Sequence, residues 1–430
     1  MATFGDFLLL IVPFFGAVIL GFPIYASFLV TCFLYIAIDP RLTLQMIPPI
    51  LYSGLDSFPI LAIPLFIFAG DIMSGGKISE KLLIFAEGIV GRLPGSTGAI
   101  TVLGCMFFGA VSGSGPATTA AIGGMTIPRM LEQPEYKRGY ITSLLAASGF
   151  LGVLIPPSIP FVMFGFLTNT SIADLFIAGI IPGVAIGILY ILWNSYYARK
   201  HNIPPQKART VGFFQSLYQA IWALLMPLII LGGIYSGVFT PTEAAGVAVI
   251  YAIIVSLFVY RTITVKDIFV LAGRSAYTML TFMLIFVFAN VFSRIMTMAN
   301  MPQMVIDFLT SITSSNIVLL LLMNLFLFLL GMVMDPVTAI LLVAPLFFPL
   351  ATRYIGLNPV HFGVMVVTNL AVGMITPPMA GNLFVAMRLT NASLGECLKD
   401  LMPFVLIGMA VVMLVTYVPG FSLFILNLAG

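Results

Sequence analysis

Charged residues are scarce in this chain. Its 430 residues include 18 lysines and arginines and 15 aspartates and glutamates, so 8% of the chain is charged, whereas a soluble domain carries about a quarter. So few charges could not cover the surface of a soluble globule, which excludes that class. Hydrophobic residues make up 60% of the chain and form long runs rather than short alternating segments. These runs predict an all-α membrane protein that crosses the bilayer several times.

The residues that other functions need are also lacking. The net charge of +3 is too small and too scattered for a nucleic-acid partner. The sequence has neither the phosphate-binding GxxxxGK[ST] motif nor the zinc-binding HExxH motif. Its three cysteines lie far apart in apolar stretches and predict neither a disulfide nor a zinc site; they are Cys32, Cys105 and Cys397.

One enzymatic alternative stays open as a remote one. Residues 110–113, Ala-Val-Ser-Gly, weakly resemble the serine turn of rhomboid-type intramembrane proteases, with Ser112 as the nucleophile and His361 as its base. His361 precedes the polar break of its own helix by eleven residues or more, which disfavours this pairing. We therefore expect a protein that is not an enzyme, with an intramembrane serine hydrolase as the remote alternative.

The basic residues predict an orientation. Cytoplasmic loops of membrane proteins collect lysine and arginine, and the basic clusters recur after every pair of apolar runs. Placing those clusters inside leaves three basic residues outside and 15 of the 18 inside. The three outside are Arg41, Arg294 and Arg353.

Two charge-free stretches are interrupted in the middle. Residues 93–128 are broken by Val-Ser-Gly-Ser-Gly-Pro (111–116), and residues 316–352 are broken by Met-Val-Met-Asp-Pro (332–336). Each half of the first stretch spans roughly 23–27 Å of helix, less than the ~30 Å hydrocarbon core. We expect two re-entrant hairpins that enter from opposite faces. The alternative is a pair of kinked ordinary spans, because glycine and proline are frequent in transmembrane helices.

An internal repeat favours the hairpins. Pro116-Ala117-Thr118 lies 40 residues before Pro156-Pro157, and Pro336-Val337-Thr338 lies 41 residues before Pro377-Pro378. A glycine stands four residues before each proline pair, at Gly152 and Gly373. Two opposed hairpins, each followed by a broken helix, are typical of a secondary transporter with inverted repeats.

The proline pairs predict cation ligands. Proline has no N–H, so each pair leaves carbonyls four residues earlier without their helical partners. Such groups are tolerated within a bilayer only beside a cavity or a ligand. Oriented carbonyls with nearby hydroxyls suit a small hard cation, for which sodium is the natural coupling ion. The carbonyls are those of Gly152, Val153, Gly373 and Met374, and the hydroxyls are those of Ser112, Ser114, Thr118, Thr338 and Thr376.

Asp335 is the ionisable residue at the second break. It follows 27 charge-free residues and precedes 17 more, and a charge at that depth predicts a functional site. Together with two bound sodium ions and a monocarboxylate, an ionised Asp335 would make the loaded site nearly neutral. The alternative is that Asp335 only caps the second helix of its hairpin. The candidate substrate-binding residues are Ser114, Ser158, Asp335, Thr338 and Asn382.

Five motifs carry a resemblance to a known family. The chain resembles the large membrane subunit of TRAP (tripartite ATP-independent periplasmic) transporters over essentially its whole length, and most closely the sialic-acid branch. The motifs are Phe-Gly-Ala-Val-Ser-Gly-Ser-Gly-Pro-Ala-Thr-Thr-Ala-Ala-Ile-Gly (108–123), Leu-Ile-Pro-Pro-Ser (154–158), Thr-Pro-Thr-Glu-Ala-Ala (240–245), Gly-Met-Val-Met-Asp (331–335) and Ile-Thr-Pro-Pro-Met-Ala-Gly-Asn (375–382).

The resemblance implies sodium-driven import of an organic acid, such as sialic acid, across a bacterial inner membrane. It implies an elevator mechanism and two partners, a small four-helix membrane subunit, expected as a separate polypeptide, and a periplasmic substrate-binding protein. It also places both termini outside, with residues 7–38 as two short spans, a division that the residues alone leave open. A stand-alone sodium/dicarboxylate-type symporter is the alternative within transport.

The resemblance further implies two sodium sites and a division into moving and static parts. The first site would use Ser112, Ser114 and backbone at Gly152, Ile155 and Pro157, and the second backbone at Gly331 and Gly373 with Thr376 and Met379. The expected division is scaffold and first arm over 1–92; first transport half over 93–173 (hairpin 93–130, broken helix 139–166); scaffold and arms over 174–300; second transport half over 301–392 (hairpin 316–353, broken helix 359–390); and a C-terminal scaffold helix over 393–430.

Overall fold

The computed structural model describes residues 4–205 and 212–429, and those residues form twenty-one α-helices and no strand. The all-α class predicted from the sequence is confirmed. Lys207 and Arg209, two of the 15 basic residues predicted to face the cytoplasm, lie outside the described residues.

The N-terminal segment 7–38 contains two helices rather than one. Gly21 follows the end of the first helix with φ of +86°, a left-handed conformation that glycine adopts freely. Pro23 stands just before the second helix, because proline cannot continue the first one. Three further helices precede the first hairpin. The helices of this part are α1 (Phe4–Ile19), α2 (Ile24–Ile38), α3 (Ile47–Leu55), α4 (Ala62–Gly75) and α5 (Ile78–Val90).

The first hairpin is broken at Gly113 and Ser114. Gly113 has φ of +60° and Ser114 is extended. The next helix begins at Gly115, with Pro116 in its first turn, where the missing N–H of proline costs nothing. The following helix is interrupted by the Pro156-Pro157 pair. The helices of this part are α6 (Ser96–Ser112), α7 (Gly115–Leu131), α8 (Arg138–Gly149), α9 (Leu151–Leu154) and α10 (Ile159–Thr168).

Five long or amphipathic helices separate the two broken regions. Thr240 and Glu243 form a reciprocal capping box, which explains part of the Thr-Pro-Thr-Glu motif as a helix start. The helices are α11 (Ile172–Lys200), α12 (Phe213–Tyr235), α13 (Pro241–Ile254, continued by a π-helical turn), α14 (Val265–Met298) and α15 (Met301–Ile312).

The second broken region repeats the order of the first. Met334 and Asp335 separate the two hairpin helices, and residues 374–380 separate the two halves of the next helix. The order hairpin, broken helix and long helix therefore occurs twice; that the two copies run in opposite directions stays a prediction. The helices are α16 (Asn316–Val333), α17 (Pro336–Pro349), α18 (Pro359–Gly373), α19 (Gly381–Thr390), α20 (Leu394–Tyr417) and α21 (Pro419–Ala429).

Eight helical stretches among the described residues are long and apolar enough to cross a membrane, and a ninth results if α8–α9 and α10, which are bent by 41°, count as one span. This count agrees with a protein that crosses the bilayer several times. The eight are 58–75, 172–200, 213–235, 241–259, 265–298, 316–333, 336–354 and 394–417.

Packing brings the two broken regions together. The second half of each broken helix packs on the hairpin of the other copy, α10 on α17 and α19 on α7. The long helices α11 and α20 also pack on these regions, α11 on α6 and α18, and α20 on α8 and α18. Helices α2, α4, α5, α12, α13 and α14 pack largely on one another. The division into transport and scaffold segments stays a prediction.

The predicted orientation can be tested with single cysteines. Asn202 lies in an exposed turn just after α11, and Gly237 lies in an exposed turn just after α12. All three native cysteines are buried, so background labelling will be low. We expect Gly237→Cys to react with a membrane-impermeant maleimide in intact cells and Asn202→Cys to react only after permeabilisation. The reverse pattern would contradict the orientation.

Candidate transport site

The tips of the two hairpins meet at one cavity. The cavity has a volume of about 200 Å³ and is bounded by both hairpin tips, by residues of both helix breaks and by the long helix α14. Its lining includes Ser114 and Pro116, Asp335 and Val337, Val153, Ile159 and Met374, and Thr281, Phe282 and Ile285 of α14.

Behind the first tip lies a cluster of oxygen atoms. The hydroxyls of Ser112 and Thr118 share a hydrogen bond of 2.8 Å, and the Ser112 hydroxyl lies 3.4 Å from the carbonyl of Ser114. A methyl group on Gly152 would lie 3.0 Å from that same carbonyl and in collision with the Thr118 hydroxyl. Gly152 therefore faces the cluster, and hydroxyl and carbonyl oxygens are the ligands that a hard cation takes.

The first break closes around this cluster through backbone contacts. A methyl group on Gly109 would lie 2.5 Å from the Cα of Gly152, and one on Gly113 would lie 3.0 Å from the carbonyl oxygen of Pro157. Ile155 and Pro157 are both buried. Hairpin and break are thus packed backbone on backbone, which requires glycine.

One of the carbonyls predicted to be free is occupied. Val153 accepts a hydrogen bond from the hydroxyl of Ser158, which replaces the N–H that proline lacks. The Ser158 hydroxyl also accepts from the N–H of Phe161, at 3.4 Å, as the cap of α10. The prediction of a free carbonyl at Val153 is wrong for this reason, and Ser158 is fully buried behind the cavity wall rather than on it.

The second break has a similar close contact between glycine backbones, but its carbonyls find different hydrogen-bond partners. A methyl group on Gly373 would lie 2.7 Å from the Cα of Gly331. The carbonyl of Gly373 accepts from the N–H of Thr376 at 2.8 Å, because the chain tightens into a turn before the prolines. The prediction that this carbonyl is free is therefore also wrong.

The remaining residues of the second break point in several directions. Met374 lines the cavity. The Thr376 hydroxyl donates to the carbonyl of Val372 at 3.2 Å. Met379 has a side chain that is 57% exposed, while its N–H donates to the carbonyl of Met332 at 2.9 Å and ties the break to the hairpin tip.

Asp335 both caps a helix and borders the cavity. One carboxylate oxygen accepts from the N–H groups of Val337 and Thr338, at 3.0 and 3.2 Å. The other accepts from the Thr338 hydroxyl, so Thr338, which is buried, is turned toward Asp335. The side chain of Asp335 is half-buried and lines the same cavity as Ser114.

Asn382 lies behind the first tip. A methyl group on Gly115 would lie 2.9 Å from its amide oxygen, its amide nitrogen donates to the carbonyl of Ala146 at 3.4 Å, and its amide oxygen has no partner. The side chain is fully buried. It supports the start of α7 and is not part of the cavity lining.

Helix α14 contributes a wall of the cavity that the sequence does not predict. Thr281, Phe282 and Ile285 belong to an ordinary apolar span, with no break and no charge to mark them. Nor does the sequence predict the contact of Gly70 of α4: a methyl group there would lie 3.2 Å from the Cα of Ser112. Only tertiary packing identifies these contacts.

The serine-hydrolase alternative finds no support in the geometry. The Ser112 hydroxyl pairs with Thr118, and the ring nitrogen Nδ1 of His361 pairs with the hydroxyl of Ser422 at 2.8 Å. The nucleophile and its supposed base therefore each have another partner.

The sequence model of a family described as "Tripartite ATP-independent periplasmic transporter, DctM component" matches residues 10–421. This chain belongs to that family. The resemblance to the family is confirmed, with the sialic-acid branch as one of several branches that the chain matches. The chain is the large permease subunit of a secondary transporter of the TRAP class, a membrane transport protein and not an enzyme.

Several named relatives support this assignment. The chain is 37% identical to the isethionate TRAP transporter permease DctMQ of Oleidesulfovibrio alaskensis, over 94% of this chain and 64% of that protein. It is 37% identical to the C4-dicarboxylate large permease DctM of Pseudomonas aeruginosa, over 88% and 89%. It is 33% identical to the sialic acid large permease SiaM of Vibrio cholerae, over 95% of each.

A solved structure supports the fold. The YdaH transporter of Alcanivorax borkumensis superposes with a TM-score of 0.60 at 15% identity, over 86% of this chain and 88% of that chain. At that identity the likeness concerns the architecture alone.

The glycine contact at the second break gives a stability prediction. Gly373→Ala places a methyl group against the backbone of Gly331, so we expect a loss of about 1–3 kcal/mol in the free energy of unfolding, as for other overpacked sites. Gly381→Ala is the control, because nothing lies within 4 Å of the added methyl group. Thermal unfolding of the purified permease in detergent compares the two, and equal midpoints would contradict the close contact.

Proposed function

We propose that this permease imports a monoanionic organic acid together with sodium, by an elevator movement, in complex with a small four-helix subunit and a periplasmic binding protein. The observation that carries the proposal is the meeting of both hairpin tips at one cavity, whose lining includes Ser114 of the first tip and Asp335 of the second. The family assignment supports the tripartite arrangement, and the two partners follow from it.

The first sodium site is proposed at the oxygen cluster of hairpin 1. The ligands would be the hydroxyl of Ser112, the backbone of Ser114 and the backbone around Gly152, Ile155 and Pro157. The hydroxyl of Thr118 is added to this set because it lies 2.8 Å from that of Ser112. Two hydroxyls and several carbonyls around a glycine fit a hard monovalent cation.

The second sodium site is proposed at the contact of Gly331 and Gly373, with Met374, Thr376 and Met379 around it. The fit is looser here, because the Gly373 carbonyl and the Thr376 hydroxyl already take part in local hydrogen bonds. Carbonyl oxygens carry two lone pairs, so a carbonyl that accepts one hydrogen bond still has a lone pair for a cation.

The charge of the substrate follows from the residues around the cavity. Two sodium ions and an ionised Asp335 leave one positive charge, which a single carboxylate or sulfonate would neutralise before the site crosses the bilayer, where net charge is costly. Sialic acid is the substrate we would test first, followed by isethionate. Ser114 and Asp335 would contact it, Thr338 would orient Asp335, and Ser158 and Asn382 would support the two walls from behind.

The moving body would contain more than the hairpins. The contacts of α11 and α20 with α6, α8 and α18 favour their movement with the hairpins, although the sequence predicts them within the scaffold segments 174–300 and 393–430. Helices α2, α4 and α12–α14 would then form the static part, in a bacterial inner membrane with both termini in the periplasm.

Reconstitution tests the function. The permease, its small subunit and its binding protein are placed in proteoliposomes, and uptake of labelled sialic acid, isethionate and succinate is measured with an inward sodium gradient or with choline. We expect sodium-dependent uptake of a monoanion that requires all three proteins. Uptake by the permease alone would favour the stand-alone sodium/dicarboxylate-type symporter.

Asp335→Asn separates charge from capping. Asn358 caps α18 with the same two bonds, to the N–H groups of Val360 and His361 at 2.8 and 3.3 Å, so a neutral amide is sufficient as a cap. We expect the variant to keep its thermal stability within about 1 kcal/mol and to lose at least about tenfold in uptake rate. Uptake at the parent rate with the same substrate preference would show that Asp335 acts only as a helix cap.

A further inference from the structure

Two apolar cavities lie end to end along hairpin 2. The first has a volume of about 360 Å³ and lies between α15 and the hairpin helices α16 and α17. The second has a volume of about 300 Å³ and lies between the same hairpin and α1. Phe326 and Leu346 line both cavities, so the two adjoin, and every residue that lines either of them is apolar. We call this pair of cavities the hairpin-2 trough.

The trough has about the length of one lipid leaflet. Along α16 it extends from Leu322 to Val333, which is about 17 Å of helix, and one leaflet contributes ~15 Å to a ~30 Å hydrocarbon core. Helix α16 is long and apolar enough to cross a membrane. Phe326 and Leu329, which line the trough, are 42% and 51% exposed. The trough is therefore open to the bilayer.

Helix α15 places one end of the trough at the membrane surface. Met304, Phe308 and Ile312 line the trough and follow one another at the spacing of one helix face. The polar residues Gln303 and Asp307 of the same helix are exposed, and the Gln303 amide nitrogen donates to the Asp307 carboxylate at 2.8 Å. A helix with one apolar and one polar face lies at the boundary between headgroups and acyl chains. The trough thus begins at the depth where the acyl chains of a phospholipid begin.

The corresponding helix of the first copy packs directly on its hairpin. Helix α5 precedes hairpin 1 as α15 precedes hairpin 2. A methyl group on Gly104 of α6 would collide with the side chain of Leu83 of α5, and the ring centres of Phe85 and Phe107 lie 5.4 Å apart. Side chains can therefore fill the space under such a helix. Hairpin 2 differs by leaving a trough there.

An acyl chain is the occupant that fits this trough. Water needs polar partners, and the lining offers apolar side chains. An empty space would cost its walls their dispersion contacts. A protein helix packed on both α1, which rests on α2 of the static part, and hairpin 2 would hold the two together, whereas an elevator movement requires them to separate. An acyl chain has many rotatable bonds and can follow the change in shape. This step rests on the proposed function.

Arg353 lies where the headgroup of such a lipid would be. It is exposed at the open end of hairpin 2, about 10 Å of helix beyond Leu346, and it forms no ion pair within the part of the chain that the structure describes. Its neighbour Tyr354 is 48% exposed, and tyrosine is enriched at the membrane–water interface. A guanidinium group binds phosphate through two parallel hydrogen bonds.

We propose that the hairpin-2 trough binds a phospholipid, with one acyl chain between hairpin 2, α15 and α1 and with its phosphate on Arg353. The lipid fills the space between the moving hairpin and the static helices. Transport by this permease then depends on a lipid that belongs to the site as well as on the cargo and the ions.

Filling the trough tests the site. The permease is purified with its small subunit in detergent, and the rise in its unfolding midpoint is measured as dioleoylphosphatidylglycerol is added. Leu329→Trp puts a larger side chain into the trough, so we expect this variant to lose most of the rise that the lipid gives the parent. Leu325→Trp is the matched control, because Leu325 is 54% exposed one turn away on α16 and lines neither cavity. Its rise should equal that of the parent.

Three outcomes of this experiment would overturn the site. Equal rises in Leu329→Trp and Leu325→Trp would show that no lipid occupies the trough. A rise that appears only without the small subunit would show that the subunit covers the trough. Dihexanoylphosphatidylglycerol carries the same headgroup on short chains and should stabilise the parent less; an equal effect would show that the headgroup alone is bound.

Arg353→Gln tests the headgroup separately from the packing. Because Arg353 is exposed, its replacement should leave the fold intact. We expect the dioleoylphosphatidylglycerol concentration for half-maximal stabilisation to rise about fivefold, which is the effect of one basic residue on the binding of an anionic lipid. Arg353→Lys keeps the charge and should restore most of the affinity. An unchanged concentration in Arg353→Gln would overturn the placement of the headgroup.

The melting experiments need no transport, so the lipid site and the proposed function can fail separately. Loss of the lipid response in Leu329→Trp, together with parent uptake that does not depend on sodium, would refute the proposed function and support the lipid site. Sodium-dependent uptake by the parent, together with equal lipid responses in the two tryptophan variants, would refute the lipid site alone.

Discussion

The need to satisfy every backbone polar group inside the bilayer governs this permease. Both hairpins and both broken helices interrupt the regular backbone hydrogen bonds. The bilayer core holds no water that could replace those bonds. The chain meets the requirement with local hydrogen bonds. The Ser158 hydroxyl donates to the carbonyl of Val153. The N–H of Thr376 donates to the carbonyl of Gly373, and the N–H of Met379 donates to the carbonyl of Met332. The breaks are therefore stable structures that can face one cavity.

The positions of the breaks could be predicted from the sequence, because proline and glycine act through the backbone alone. The Gly113–Ser114 and Met334–Asp335 interruptions fall inside the predicted segments, and the repeated glycine before each proline pair marks a contact in both copies. The hydrogen-bonding state of each carbonyl could not be predicted, since it depends on a hydroxyl or an N–H that only the folded turn brings near. For the same reason the α14 wall and the contacts of α20 became visible only in the structure.

The two halves share a plan and differ in charge. Hairpin 1 presents Ser114 to the cavity and has paired hydroxyls behind it, whereas hairpin 2 presents the carboxylate of Asp335, held by Thr338. The second half also carries two buried, hydrogen-bonded asparagines, Asn324 and Asn369. The two copies thus share one backbone arrangement, and their side chains give the two hairpin tips different charges.

The close backbone contacts at the glycines have a consequence for how this family can diversify. At Gly109 with Gly152, and at Gly331 with Gly373, backbones touch so closely that no larger residue fits, so these positions cannot be used to reshape the site. The face of α14 toward the cavity has no such restriction, since it meets the tips through side chains. A lineage could exchange Thr281, Phe282 or Ile285 and so change the cavity wall while the backbone framework of the two breaks stays as it is.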